Sequence, residues 1–143
     1  RTGLRPFSAF HREMVCCWRS DGVGLSRLKE AGVKTVVITS EINPVVKKRC
    51  DKMEIECITG CRDKLSVLKR LMREQNLSPD EVCFMGNDLP DLECLKYVGY
   101  PVAVRGSAVE VLKVAKDVTK RKGGAGAVRE VCDLIYNEHK KVR

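Results

Sequence analysis

The chain has few aromatic residues, no long apolar run and no cysteines at zinc-ribbon spacing. Aromatics make up 5% of its 143 residues, so no stacking platform for nucleic-acid bases is visible. No apolar run approaches the roughly 20 residues that span a bilayer, and the first residues lack the apolar core of a secretory signal. No Cys-x-x-Cys pair occurs, which argues against a zinc ribbon. We therefore expect a cytoplasmic protein that binds neither nucleic acid nor membrane.

What the chain does contain is typical of one globular domain. Hydrophobic residues make up 43% and charged residues 32%, and the net charge is +8. This excess of positive charge favours anionic partners, and a phosphorylated small molecule fits it as well as nucleic acid does. The eight cysteines lie mostly inside apolar runs, so we interpret them as buried, reduced thiols.

Strand-like and helix-like segments alternate along the chain. The predicted strands are 13–19, 34–39, 54–58, 81–85 and 100–104, and the predicted helices are 25–31, 44–50, 63–75, a helix with Pro90 in its first turn, 108–115 and 127–136. This alternation indicates βαβ units with right-handed crossovers. We expect an α/β, Rossmann-like fold with a mostly parallel sheet and helices on both faces.

An acidic turn follows the strand that ends at Gly86. Asn87, Asp88 and Asp91 would lie at the carboxyl end of that strand, where open α/β sheets bind ligands. Their oxygen atoms suit Mg²⁺, which usually rests on one or two carboxylates and a substrate phosphate. The alternative interpretation is an ordinary helix start with an aspartate cap.

Two other predicted strands also end in polar residues. Thr39, Ser40 and Glu41 follow one strand, and Lys64 follows the next. A hydroxyl with nearby backbone N–H groups could bind a phosphoryl oxygen, and the lysine could neutralise its charge. Taken singly, each residue could instead be a helix cap or a solvated side chain. Together they predict a phosphate site at the carboxyl edge of the sheet.

The order and spacing of these groups resemble the haloacid dehalogenase superfamily. Thr39 and Ser40 are similar to its second motif, Lys64 to its third and residues 86–91 to its fourth. The resemblance implies a Mg²⁺-dependent phosphatase in which Thr39 and Lys64 are catalytic and Asn87, Asp88 and Asp91 hold the metal.

Three further stretches are similar to the capless branch of that superfamily. They are Arg-Ser-Asp-Gly-Val-Gly-Leu at 19–25, Leu-Lys-Glu-Ala-Gly at 28–32 and Gly-Gly-Ala-Gly-Ala-Val-Arg-Glu at 123–130. The branch includes octulosonate 8-phosphate phosphatases and the phosphatase-like tails of acylneuraminate cytidylyltransferases. It implies a phosphorylated sugar acid as substrate, contacts to it from Ser40, Glu41, Arg19 and Arg129, and a homotetramer built through an N-terminal β-hairpin at 1–19.

Glu41 bears on the choice of sugar acid. Octulosonate phosphatases usually have Gly-Arg after the second-motif hydroxyl, whereas Ser40-Glu41 stands here. The glutamate is similar to sialic-acid-type members, and inverting a charge near a sugar carboxylate should change specificity. The resemblance therefore favours a nine-carbon nonulosonate 9-phosphate over the eight-carbon ester.

The main departure from the family is the absence of an Asp-x-Asp, its nucleophile motif on the first central strand. The first aspartate of this chain is Asp21. We expect residues 1–143 to form a single domain that lacks this strand, either as a fragment or as a naturally inactive relative. The loss should leave a gap with unpaired backbone groups between strands 34–39 and 81–85. The alternative function is an inactive oligomerisation module.

Overall fold

A computed structural model describes Gly3–Leu4, Met14–Val15 and residues 19–142, with side chains from 19 to 141. Its strands are β1 (Gly3–Leu4), β2 (Met14–Val15), β3 (Val36–Ile38), β4 (Glu56–Ile58), β5 (Cys83–Gly86), β6 (Tyr100–Arg105) and β7 (Asp117–Lys122). Its helices are α1 (Arg19–Glu30), α2 (Pro44–Lys52), α3 (Lys64–Glu74), α4 (Leu92–Tyr97), α5 (Val109–Val114) and α6 (Ala127–Val142). Short 3₁₀ turns cover Pro79–Glu81 and Leu89–Asp91. Within the part described, no helix is long and apolar enough to span a bilayer.

The N-terminal hairpin is seen in part. β1 pairs antiparallel with β2, with Gly3 opposite Val15 and Leu4 opposite Met14. The rest of the predicted 1–19 hairpin lies outside the described residues, except Arg19. The predicted strand 13–19 is wrong at its end, because α1 begins at Arg19.

The remaining described strands form two parallel sheets, one with the order β3-β4 and one with the order β5-β6-β7. Helices connect successive parallel strands, as a parallel sheet requires. The predicted α/β fold is therefore correct. β7 is absent from the predicted strands, and it ends with the exposed basic residues Lys120, Arg121 and Lys122.

Local sequence explains the ends of several helices. Gly32 follows α1 with φ +84°, a conformation that glycine adopts without steric cost. Asn43 caps α2, with its side-chain oxygen accepting from the Val45 N–H, and Pro44 occupies the first turn. Asp63 caps α3 by accepting from the Ser66 N–H. These caps orient the loops that follow β3 and β4.

The core is centred on α4 and β6. Cys94, Leu95, Val102 and Val111 are almost fully buried. Cys94 packs with residues of α3, and Leu95 packs with β6 and α5. α4 thereby fixes the position of the loop that precedes it, which is the acidic loop after β5.

A cavity of about 600 Å³ lies between the two parallel sheets. β3 and β5 both line it, and in the described part of the chain they do not pair with each other. Its other walls include apolar residues of α1 and α6, such as Leu25, Leu28 and Val131. The cavity lies at the gap expected between these two strands, and we call it the inter-sheet cleft.

Candidate functional site

The acidic loop after β5 is organised by a buried carboxylate. Asp91 is 7% exposed. Its Oδ2 accepts from the backbone N–H of Asn87 at 2.9 Å and of Asp88 at 3.3 Å. Its Oδ1 lies 2.7 Å from Lys64 Nζ. Both oxygens are therefore bonded, and the negative charge is balanced by a cation, as a buried carboxylate requires.

Gly86 is the residue that makes this arrangement possible. A Cβ at this position would lie 2.5 Å from Asp91 Cβ and 2.8 Å from its Oδ2, closer than non-bonded atoms can approach. Only glycine lets the Asp91 side chain turn back against the end of β5. From the sequence, Gly86 is recognisable as a strand end, whereas this packing role becomes visible only in the structure.

Asn87 and Asp88 precede Asp91 in the same loop, and Asn87 is half-buried. Asp88 is exposed, and its Oδ1 caps the 3₁₀ turn by accepting from the Leu89 N–H at 2.8 Å. The carbonyl of Asn87 accepts from the Ala108 N–H at 3.0 Å, which ties this loop to the one after β6. The Asp88 carboxylate and the Asn87 amide are hard oxygen donors. They fit a Mg²⁺ ion that completes its shell with water and phosphate.

The predicted metal ligands therefore differ in how accessible their oxygen atoms are. Asp91 holds Lys64 and the loop backbone, while Asp88 is the carboxylate with an accessible oxygen. Among the side chains described, no group of three or more His, Cys, Asp or Glu residues could hold a metal by itself. A cation here would depend on a substrate phosphate or on ligands from elsewhere.

The loop after β3 lies beside the loop after β4. The carbonyl of Thr39 accepts from the Cys61 N–H at 2.9 Å, and the Gly60 N–H donates to the Glu41 carbonyl at 3.1 Å. Thr39 Oγ1 accepts from the Glu41 N–H at 3.0 Å. Because Lys64 opens the helix after Cys61 and bonds Asp91, the loops after β3, β4 and β5 meet at one edge of the fold.

Ser40 and Glu41 differ in how free their side chains are. Ser40 is exposed. The Glu41 carboxylate accepts from the Ile42 and Asn43 N–H groups at 3.0 Å each, so it is folded onto its own loop. A sugar group that contacted Glu41 would have to share or replace these bonds.

Arg129 belongs to a structural network between α1 and α6. Its Nε lies 2.9 Å from Asp133 Oδ2, its Nη1 donates to the Ser20 carbonyl, and its backbone N–H donates to Asp21 Oδ1. Burial raises the pKa of Asp21, although the bond from the Arg129 N–H opposes that rise. These contacts direct Arg129 toward α1 rather than toward the three loops.

Arg19 is exposed at the first turn of α1. Among the contacts of the described residues, none joins Arg19 or Arg129 to the loops after β3, β4 and β5. The substrate contacts expected of Arg19 and Arg129 therefore stay predictions.

The segment of the sequence that carries these three loops matches a known protein family. The model for haloacid dehalogenase-like hydrolases matches residues 38–131, which include all three loops. The chain belongs to the haloacid dehalogenase-like hydrolase family.

Similar proteins include a phosphatase and a cytidylyltransferase. The 3-deoxy-D-manno-octulosonate 8-phosphate phosphatase of Yersinia pestis is 35% identical over 80% of this chain and 62% of its own length. The N-acylneuraminate cytidylyltransferase A of Danio rerio is 33% identical over 95% of this chain and 32% of its own length. The chain thus spans less than two thirds of the curated relatives it matches.

A solved structure gives the same fold. The 3-deoxy-D-manno-octulosonate 8-phosphate phosphatase of Moraxella catarrhalis, in complex with magnesium, phosphate and a KDO molecule, aligns with a TM-score of 0.87 and 30% identity. The alignment covers 94% of this chain and 78% of that one. The similarity to this branch of the haloacid dehalogenase-like hydrolases that the motifs implied is therefore confirmed.

Proposed function

We propose that this chain forms most of a Mg²⁺-dependent phosphatase domain that acts on a phosphorylated sugar acid. The observation that carries the proposal is the Lys64–Asp91 pair, at 2.7 Å, beside the hydroxyl loop of Thr39 and Ser40. It brings a cation, hydroxyls and acidic oxygens to one edge of the fold. Phosphoryl transfer depends chiefly on such positioning and charge stabilisation.

Each group has a distinct role in this proposal. The Lys64 ammonium has three N–H donors and gives one to Asp91, so two remain to bind phosphoryl oxygens. The Ser40 hydroxyl and the backbone N–H groups of its loop would bind another oxygen. Asp88 and Asn87 would hold Mg²⁺, which when bound supplies neutralisation of phosphoryl charge.

The reaction also needs an attacking carboxylate. Asp91 cannot serve, since both its oxygens are bonded and Lys64 neutralises it. We propose that the nucleophile comes from an Asp-x-Asp strand outside these 143 residues, as the family resemblance implies. Without it, covalent catalysis through an aspartyl phosphate is closed.

The substrate would be a sugar acid that carries a terminal phosphate. The octulosonate 8-phosphate phosphatases among the relatives support the eight-carbon ester. Glu41 and the cytidylyltransferase relative support a nine-carbon nonulosonate. We favour the nonulosonate, because the glutamate resembles that of sialic-acid-type members and an inverted charge near a sugar carboxylate should change specificity.

A second candidate is a non-catalytic assembly module. The match to the cytidylyltransferase over 95% of this chain favours it, as does the lack of an Asp-x-Asp. In this role the β1–β2 hairpin and α6 would support a tetramer, and the phosphate loops would be vestigial.

Phosphate binding by the chain as it stands tests the site that the phosphatase proposal requires. Inorganic phosphate with Mg²⁺ should shift the backbone NMR signals of Ser40, Lys64 and Asp88. Lys64→Met and the milder Ser40→Ala should each weaken phosphate binding about tenfold or more, since charge-assisted hydrogen bonds are strong. Lys113→Met, which changes an exposed lysine on α5, should not.

Two outcomes would reject the phosphatase proposal. Phosphate binding that is equal in Lys64→Met and Lys113→Met would remove the site. Binding without turnover of nonulosonate 9-phosphate or octulosonate 8-phosphate, in a protein that also carries an Asp-x-Asp strand, would favour the assembly module. Comparing rates on the two esters in that longer protein would decide the sugar.

A further inference from the structure

Two cysteines lie together where α2 packs against β4. Cys50 belongs to the last turn of α2 and is 2% exposed. Cys57 is the middle residue of β4 and is half-buried. The two thiols are hydrogen-bond partners. Neither cysteine has a role in the proposed phosphate site, so the pair needs a separate explanation.

The backbone between the two cysteines holds them in this position. The Ile55 N–H donates to the Cys50 carbonyl at 2.9 Å, so the strand begins beside the end of the helix. Glu54 makes the turn with φ +58°, a conformation that is uncommon for a residue with a side chain. Because side chains alternate along a strand, Cys57 lies on the same face as Ile55. The short connection therefore fixes which strand residue meets Cys50.

The two thiols differ in how readily each can react. Burial, and then the bond with Cys57, raises the pKa of Cys50 to about 12, so Cys50 stays protonated at neutral pH. Cys57 is the more exposed of the two. The exposed Lys47 ammonium, which pairs with Asp51 at 2.6 Å, acts on both thiols through its charge. These differences indicate that Cys57 reacts first and Cys50 second.

We infer that Cys57 and Cys50 are a modification site, which a peroxide oxidises to a reversible disulfide that ties α2 to β4. The Cys57 thiolate attacks one peroxide oxygen, the O–O bond breaks, and the other oxygen takes up a proton and leaves as water. Cys57 is then a sulfenic acid. The Cys50 sulfur attacks the Cys57 sulfur, the S–O bond breaks, and the hydroxyl leaves as water with the Cys50 proton.

The balance of this reaction is two thiols and one peroxide in, and one disulfide and two waters out. The thiols lose two electrons, which reduce the peroxide. Negative charge is present on the thiolate and develops on the departing oxygen, and the Lys47 ammonium would stabilise both charges. A small thiol would reverse the modification by thiol–disulfide exchange. The inference does not depend on phosphatase activity.

The other described cysteines are less suited to this reaction. Cys94 acts on Cys61, and Cys132 on Cys83, through charge alone and without a hydrogen bond between the thiols. A disulfide requires its two sulfurs to come into direct contact. Cys50 and Cys57 meet this requirement with a bonded pair of thiols, so oxidation should be selective for them.

Peptide mapping tests the inference on the chain as it exists. The reduced protein is treated with hydrogen peroxide, its remaining thiols are blocked with N-ethylmaleimide, and it is digested with trypsin without reduction. Cleavage after Arg49, Lys52 and Arg62 places Cys50 in peptide 50–52 and Cys57 in peptide 53–62. Mass spectrometry should find these two peptides linked, with a mass lower than their sum by two hydrogen atoms. Dithiothreitol should separate them.

Variants assign the link to one pair of sulfurs, because peptide 53–62 also contains Cys61. Cys57→Ser should abolish the link to peptide 50–52, whereas the matched change Cys61→Ser should leave it intact. Cys50→Ala should leave Cys57 as a sulfenic acid that dimedone labels. Because Cys50 is buried, this variant could fail to fold, and the half-buried Cys57→Ser then still tests the pair.

A second comparison tests the contribution of Lys47. Lys47→Met should slow disulfide formation about two- to fivefold, the effect expected when an exposed charge is removed. Lys48→Met removes the same charge from the next residue of α2, which is also exposed, and it should leave the rate unchanged. Equal rates in the two variants would overturn the role of Lys47.

Three outcomes would overturn the inference as a whole. A link that persists in Cys57→Ser would assign it to Cys61. Oxidation that joins other cysteines while Cys50 and Cys57 stay reduced would show that contact between these two thiols does not direct the reaction. A link that forms as fast in urea as in the folded protein would show that closeness in sequence, rather than the packing of α2 on β4, brings the sulfurs together.

Discussion

The replacement Gly86→Ala tests whether the site depends on the close approach of Asp91 to the end of β5. The added Cβ would lie 2.5 Å from Asp91 Cβ and 2.8 Å from Asp91 Cγ. The contact is with the root of the side chain, so rotation about χ1 alone cannot relieve it. Asp91 must move, and its bonds to Lys64 and to the amides of Asn87 and Asp88 must lengthen.

The expected cost follows from two effects. Overpacking of a tight contact costs about 1–3 kcal/mol. Displacing Asp91 also weakens an ion pair whose side chains are only about a tenth exposed, and breaking such a pair costs about 3–5 kcal/mol when one partner is left unpaired. Because Asp91 shifts rather than disappears, we expect a loss of about 3 kcal/mol in the free energy of unfolding.

Urea denaturation of the variant measures this loss, and Gly106→Ala is the matched control. Gly106 has φ +84°, and among the described residues no atom beyond its chain neighbours lies within 4 Å of where its Cβ would be. Its replacement therefore adds backbone strain of about 1–2 kcal/mol and no clash. Gly86→Ala should be the more damaging change, and it alone should speed amide exchange at Asn87 and Asp88. If the two variants lose equal stability, or if these amides are unchanged, the packing argument is wrong.

Three other predictions concern the edge of the sheet, the thiols and a helix cap. The Glu130 carboxylate accepts from the Lys120 and Arg121 N–H groups at 3.0 Å on an exposed strand. Glu130→Ala should therefore speed hydrogen exchange at these two amides and lower the free energy of unfolding by about 1 kcal/mol. Burial raises the pKa of Cys132 to about 12, above the value near 9 of a thiol in the unfolded chain. The protonated thiol therefore stabilises the fold fully below pH 9. The free energy of unfolding, measured by urea titration, should fall as the pH rises from about 9 to 12. Asn43→Ala removes the side-chain cap of α2 and should cost about 1 kcal/mol in urea denaturation, whereas Asn43→Asp should cost much less.

Local signals in the sequence account for the elements that are predicted correctly. Gly32 ends α1, and Asn43 with Pro44 starts α2. These residue types act through their own backbone geometry, so their effect needs no tertiary contact. The strands β3, β5 and β6 are predictable for a similar reason, since each contains an apolar run too short for a helix.

β7 escapes prediction because tertiary contacts stabilise it. Val118 is its only large apolar residue, and it is 46% exposed. The strand forms because Thr119 is buried and bonds the Arg105 N–H, and because Glu130 accepts from its outer backbone groups. Neither partner is close in sequence, so no local pattern could show it.

The start of α1 is hidden for a different reason. The Ser20-Asp21-Gly22 stretch has the composition of a turn, yet it lies within the helix. Gly24 lies against α6, where a Cβ would meet Cys132 Cβ at 2.8 Å. This second glycine is therefore explained by helix–helix packing rather than by a turn, and only the arrangement of α1 on α6 reveals this.

The candidate site shows where sequence reasoning stops. Spacing placed Thr39, Lys64 and Asp91 after successive strands, and the topology of a parallel sheet brought those strand ends together. Spacing could not tell which carboxylate pairs with the lysine. The pairing follows from Gly86, whose missing side chain lets Asp91 turn inward and leaves Asp88 exposed. One absent Cβ therefore separates the carboxylate that holds the loop from the one that remains accessible to a ligand.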